Sequence, residues 1–179
     1  MHDSPTIVLI GLRGSGKSTL GKRLADELGK PFIDLDDRTA VKLGHQTPGA
    51  ALRAAGIEAF RDAESSALQH ALTEQGSILA LGGGTPTAPG ATDLIREHRS
   101  DGRALVMYLR AEPSELESRL TTSGAPDRPA LVGDDPVSEI QTLFDQRDPL
   151  YRTLADGVLH AGSCDETSAF AMLKAWTPR

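Results

Sequence analysis

Four short apolar runs, Ile7 to Ile10, Phe32 to Leu35, Ile78 to Leu81 and Leu105 to Leu109, are separated by helix-length stretches, and Val158-Leu159 offers a fifth. Strands alternating with helices predict a parallel, doubly wound α/β sheet. After the first run, Leu20, Leu24 and Leu28 recur on one helical stripe, and Gly29 followed by Pro31 supplies the stop. A second helix is expected to open at Asp135-Pro136, a side-chain cap followed by a first-turn proline. It would bury Val137, Ile140, Leu143 and Phe144, with Pro149 marking its end or a kink. Gly44 to Gly56 is rich in Gly and Ala with weak periodicity, and Thr121 to Asp127 is polar around Gly124 and Pro126. Both read as mobile excursions from one core, and no repeat or linker divides the 179 residues, so a single domain is expected.

Composition narrows the function. The net charge of -6 argues against nucleic-acid binding, which needs a clustered basic surface. Cys164 is the only cysteine, so an internal disulfide and a thiolate metal site are both excluded and a reducing compartment fits. The N-terminus has no basic n-region, and Ile7 to Ile10 is too short to span a membrane; a soluble, cytoplasmic protein is expected. His2, His45, His70, His98 and His160 include no pair at metal-ligand spacing, which leaves nucleotide-bound Mg²⁺ as the expected metal.

The strongest local signal directly follows the first run: Gly11-Leu12-Arg13-Gly14-Ser15-Gly16-Lys17-Ser18 satisfies the G-x-x-x-x-G-K-[ST] pattern between a strand and a helix. Glycines let successive backbone N–H groups turn toward phosphates, and the helix adds its positive N-terminal end. Gly14, Ser15, Gly16, Lys17, Ser18 and Thr19 are therefore the candidate nucleotide-binding set, with Lys17 reaching the β- and γ-phosphates and Ser18 ligating Mg²⁺. The competing explanation, a chance glycine-rich turn, does not account for the flanking elements. A dinucleotide fingerprint fails because its third glycine would fall at Thr19. ATP or GTP is indicated.

Further along, charged residues fall where they need partners. Asp34 and Asp36 alternate at the end of the second run, where open α/β sheets place ligands; a helix cap or solvated turn is the competing use, and Asp37 is the expected cap. Arg61 and Glu64 lie three apart on a helix beside the apolar stripe Phe60, Ala63, Ala67 and Ala71, a spacing that also suits a surface ion pair. Arg147 follows Ile140, Leu143 and Phe144 by seven, four and three, which puts a guanidinium on a core-facing stripe; it must find an anion or snorkel away. Gly82-Gly83-Gly84-Thr85-Pro86 follows a strand as either a flexible turn or a close approach to ligand.

In this order, Asp34-Leu35-Asp36, Phe60-Arg61 with Glu64, Gly82-Gly83-Gly84, Asp127-Arg128-Pro129 and Arg147-Asp148-Pro149-Leu150-Tyr151 resemble the motifs of the shikimate kinase family through most of the chain. The resemblance implies a P-loop NTPase-like, five-stranded parallel sheet with helices on both faces, a mobile lid at about 121–131 and an acceptor-binding excursion at about 36–64. It implies a monomer that moves the γ-phosphate of ATP to the 3-hydroxyl of shikimate, giving shikimate 3-phosphate and ADP on the route to chorismate. By resemblance Asp34 helps hold hydrated Mg²⁺, and Asp36 binds substrate hydroxyls and is the candidate base. Arg61 and Arg147 would clamp the carboxylate beside the amides of Gly82, Gly83 and Gly84. Lys17 and Arg128 would act in catalysis, and Arg119 would stack on adenine. Thr39-Ala40 and Gly56-Ile57 depart from the family's acidic positions, Leu52 replaces an expected aromatic, and Ala130 a leucine. A gluconate-like kinase of another polyol acid, or a ligand-sensing domain without turnover, remain the alternative readings.

Overall fold

The computed structural model describes residues 4–122, 139–162 and 165–177. Strands β1 (Thr6–Ile10), β2 (Phe32–Asp34), β3 (Ile78–Ala80), β4 (Ala104–Arg110) and β5 (Gly157–His160) form one sheet in the order β2-β3-β1-β4-β5, every neighbouring pair parallel. Side chains alternate across a strand, and β1 divides accordingly. Ile7 and Leu9 enter the core that holds Leu20 and Leu24 of α1 (Lys17–Leu28) and Phe170 and Leu173 of α7 (Glu166–Trp176). Val8 and Ile10 enter the opposite core, built with α3 (Pro48–Thr73), α4 (Ala91–Ser100), α5 (Pro113–Thr122) and α6 (Ile140–Leu154). The expected doubly wound sheet is therefore present, and the first helix ends as anticipated at Gly29, whose φ of 62° lets its N–H reach Ala25 and Asp26 carbonyls. Among the described residues no helix is long and apolar enough to cross a membrane.

Three local expectations require correction. Asp36 does not extend β2, because the strand ends at Asp34 and the chain turns at once into α2 (Leu35–Lys42). The cap of that helix is Asp34, whose carboxylate accepts from the Asp36 N–H at 3.1 Å, while Asp37 sits inside the first turn. Nor is Gly44 to Gly56 an irregular excursion: Thr47 caps α3 by accepting from the Ala50 N–H at 3.2 Å, and Pro48 occupies its first turn. Gly56, at φ 79° and ψ 167°, puts a kink in α3. Ala40, Ala51 and Phe60 bury one another beside Leu43 and Leu52, so the small residue at position 40 serves helix packing. Third, α6 continues through Pro149 to Leu154, since Tyr151 and Leu154 are fully buried and their packing offsets the lost backbone hydrogen bond. The expected helix start at Asp135-Pro136, with Val137, and the lid from residue 123 onward, including Arg128, lie outside the described residues.

Candidate active site

The loop between β1 and α1 curls because glycines occupy its left-handed positions, φ being 81° at Gly14 and 94° at Gly16. The Lys17 side chain folds back over it, and its Nζ donates to the carbonyls of Gly11 and Leu12, both at 2.9 Å. Ser18 follows Lys17 in the first turn of α1, and its hydroxyl donates to Asp34 Oδ2 at 2.7 Å. The second oxygen of Asp34 is occupied by the α2 cap, so one carboxylate both starts a helix and fixes the Ser18 hydroxyl. Around this pair opens a cleft lined by Gly14, Gly16, Lys17, Ser18, Thr19 and Arg119. Ser15 is buried below it. Arg119, on α5, donates to the Gly14 carbonyl at 3.2 Å and the Ala161 carbonyl at 2.8 Å, which ties the loop to the end of β5 and holds the guanidinium at the cleft edge.

A second cleft adjoins the first and shares Arg13, Asp36 and Gly83 with it. Its polar wall includes Arg13, Asp36, Arg61, Glu64, Glu139 and Arg147 with Gly83 and Gly84; its apolar wall includes Leu52, Ile57, Phe60 and Leu143. Asp36 thus stands at the junction. Arg61 is held by Glu64 through Nη1 at 2.5 Å, and Glu64 also accepts from the Thr85 hydroxyl. Complete burial pushes the Glu64 carboxyl up, against the downward pull of Arg61 and Thr85, and the nearby Asp36 carboxylate adds to the rise. Arg147 is almost buried, as its place on the apolar stripe requires, and donates through Nη1 to the Gly83 carbonyl at 2.8 Å.

The glycine triplet is dictated by these neighbours. A Cβ on Gly82 would lie 2.2 Å from Asp36 Oδ1 and 2.7 Å from Glu64 Oε1, and one on Gly84 would lie 2.1 Å from Arg61 Nη2. Close approach, not turn flexibility, explains the residue type. Among the described residues no protein group accepts from the N–H of Gly83 or Gly84, so both amides can serve a ligand.

Sequence reasoning picks out Gly14, Gly16, Lys17, Ser18, Thr19, Asp34 and Arg119, which line one cleft, Ser15, which is buried beside it, Asp36, Arg61, Gly83, Gly84 and Arg147, which line its neighbour, and Gly82, which packs against Asp36 and Glu64. It assigned nothing to Arg13, which lines both, to Thr85 or to the Tyr151 hydroxyl. Arg13 sits inside the phosphate-loop motif and was readable there; the other two depend on contacts 21 and 68 residues away in the chain.

The chain is similar to known proteins over most of its length. The family model described as shikimate kinase matches residues 13–176. A shikimate kinase of Bordetella avium is 39% identical over 178 residues, covering 99% of this chain and 79% of that protein; one of Burkholderia thailandensis is 35% identical over 156 residues, covering 87% and 80%. Among solved structures, a shikimate kinase from Acinetobacter baumannii in complex with shikimate superposes with a TM-score of 0.81 at 28% identity, covering 96% of this chain and 90% of that one. A gluconokinase from Sinorhizobium meliloti, at 19% identity and a TM-score of 0.62, shares the fold alone. With a family match over most of its length and relatives of this similarity, the chain belongs to the shikimate kinase family.

Proposed function

We propose that this protein transfers the γ-phosphate of ATP to the 3-hydroxyl of shikimate. The observation that carries the reading is the junction of two clefts at Asp36, one floored by a phosphate loop and the other holding two guanidiniums for a carboxylate. ATP lies with its phosphates over the amides of Gly14 to Thr19, and its base lies toward Arg119. Lys17 exchanges the loop carbonyls for the β- and γ-phosphates. Ser18 and Asp34 offer a hydroxyl and a carboxylate oxygen 2.7 Å apart, a hard donor pair suited to a Mg²⁺ ion that keeps several waters and the nucleotide oxygens. That ion would neutralise phosphate charge. The acceptor carboxylate is clamped by Arg61 and Arg147 and the adjacent Gly84 amide, which leaves a ring hydroxyl facing Asp36.

Asp36 orients that hydroxyl and takes its proton as the phosphoryl group passes in line between the clefts, while Lys17 and the loop amides stabilise the equatorial oxygens. Arg128 is assigned a share of that charge on family resemblance, within a lid at about 121–131, and the acceptor-binding excursion covers about 36–64. The protein is proposed to act as one domain, a cytoplasmic monomer. A panel of shikimate, gluconate and nucleoside monophosphates with γ-labelled ATP tests the acceptor: label should appear on shikimate, and preferential labelling of gluconate would replace the reading.

The clamp makes its own prediction. Arg147→Lys keeps a charge but loses the planar fork, so shikimate binding should weaken by about 1.5 to 3 kcal/mol, the scale of a hydrogen bond to a charged group. ATP affinity should stay the same in isothermal titration. Equal weakening of both ligands would contradict the clamp.

A further inference from the structure

The glycine triplet creates a difficulty that its own residues cannot solve. Gly82 to Gly84 must lack side chains to pass Asp36, Glu64 and Arg61, yet three successive glycines leave the peptide planes free to turn. A binding site made from a backbone N–H needs that plane held. In this structure the restraint comes from α6. The Gly83 carbonyl accepts from Arg147 Nη1 at 2.8 Å and also from the Tyr151 hydroxyl, one helical turn further along. Because a peptide is planar and trans, holding the Gly83 oxygen toward α6 points the Gly84 N–H the other way. That N–H has no acceptor among the described residues, and Gly84 lines the second cleft.

We propose that Tyr151 is a positioning residue of the acceptor site, whose hydroxyl fixes the Gly83–Gly84 peptide so that the Gly84 N–H, facing away from α6, is held as a preorganised donor for the acceptor. Tyr151 is well suited to this. It is fully buried, its ring packs edge-on against Tyr108 with centroids 5.3 Å apart, and burial pushes its phenol up to about 12, so it stays a donor. The hydroxyl is not needed to satisfy the Gly83 oxygen, which keeps the Arg147 bond when the phenol is removed. Its contribution lies in fixing direction, since two donors on one oxygen define a plane that a single donor leaves free to rotate.

The test is Tyr151→Phe, which preserves the ring contact, with Tyr108→Phe as its control; the Tyr108 hydroxyl donates to Asp148 at 2.8 Å and does not touch Gly83. Because this inference rests on the shikimate reading, wild-type kinetics are measured alongside. Tyr151→Phe should raise the shikimate KM about five- to tenfold, the effect of one hydrogen bond on a preorganised contact. Its kcat and ATP KM should remain within about twofold, and Tyr108→Phe should leave the shikimate KM unchanged. An unchanged shikimate KM in Tyr151→Phe, an equal rise in both KM values, or the same rise in Tyr108→Phe would each overturn the proposal while the wild type still turns over shikimate. Loss of turnover in the wild type itself would remove the functional reading and this inference with it.

Discussion

Replacing Lys17 by alanine is expected to lower kcat roughly 10²- to 10³-fold, the scale of removing one preorganised charge-stabilising donor from a transition state. The ammonium is nearly buried and donates to the Gly11 and Leu12 carbonyls at 2.9 Å each, which closes the loop on itself. In the proposed complex the same group serves the β- and γ-phosphates. Two roles follow for one side chain, and they separate in measurement. Loss of the loop contacts leaves two carbonyls to water at the mouth of an open cleft, a small cost that should lower the melting temperature by about 2 to 4 °C for a chain of this size. A much larger drop would mean that Lys17 is mainly structural. Unimpaired turnover would remove the phosphate-loop assignment.

Asp36→Asn is expected to reduce kcat by roughly 10²-fold or more, the usual contribution of a positioned proton acceptor, while the folded state is unharmed. The Asp36 backbone N–H, which completes the α2 cap, is retained in the variant, and asparagine fills the same space. The Asp36 carboxylate flanks the same small gap above Gly82 as Glu64, whose carboxyl is raised first by its burial and only secondarily by Asp36. Asparagine keeps the volume of the side chain and the backbone donor of the cap, so the melting temperature should stay level as activity falls. A fall in both would indicate that Asp36 serves the fold. Turnover and a thermal melt on one preparation decide it.

The parts of this arrangement that could be read from the chain are those in which local pattern and tertiary context agree. Four of the five strands are legible as short, mainly apolar runs and β5 only as Val158-Leu159, while α1 is legible as a leucine stripe ending in Gly29. Arg147 announced itself because a guanidinium on a buried stripe demands a partner, and the Gly83 carbonyl is one such partner. What escaped was settled by distant contacts. Asp34 caps α2 instead of Asp37 because pairing with β3 ends at Asp34 opposite Ala80, which fixes where the helix can begin. The first half of α3 is Ala- and Gly-rich with little periodicity, and its helix is held by the small cluster of Ala40, Ala51 and Phe60. Pro149 reads as an end or a kink by its chemistry, and the burial of Tyr151 and Leu154 carries α6 past it.

Transfer of phosphate to shikimate is the central claim, and the most direct measurement follows ATP with and without shikimate while the product is identified by phosphorus and proton NMR. The account predicts negligible ATP loss alone, brisk loss with shikimate, and a single new phosphomonoester coupled to the proton at position 3. ATP loss that ignores shikimate, or a phosphate found at another position, would contradict it.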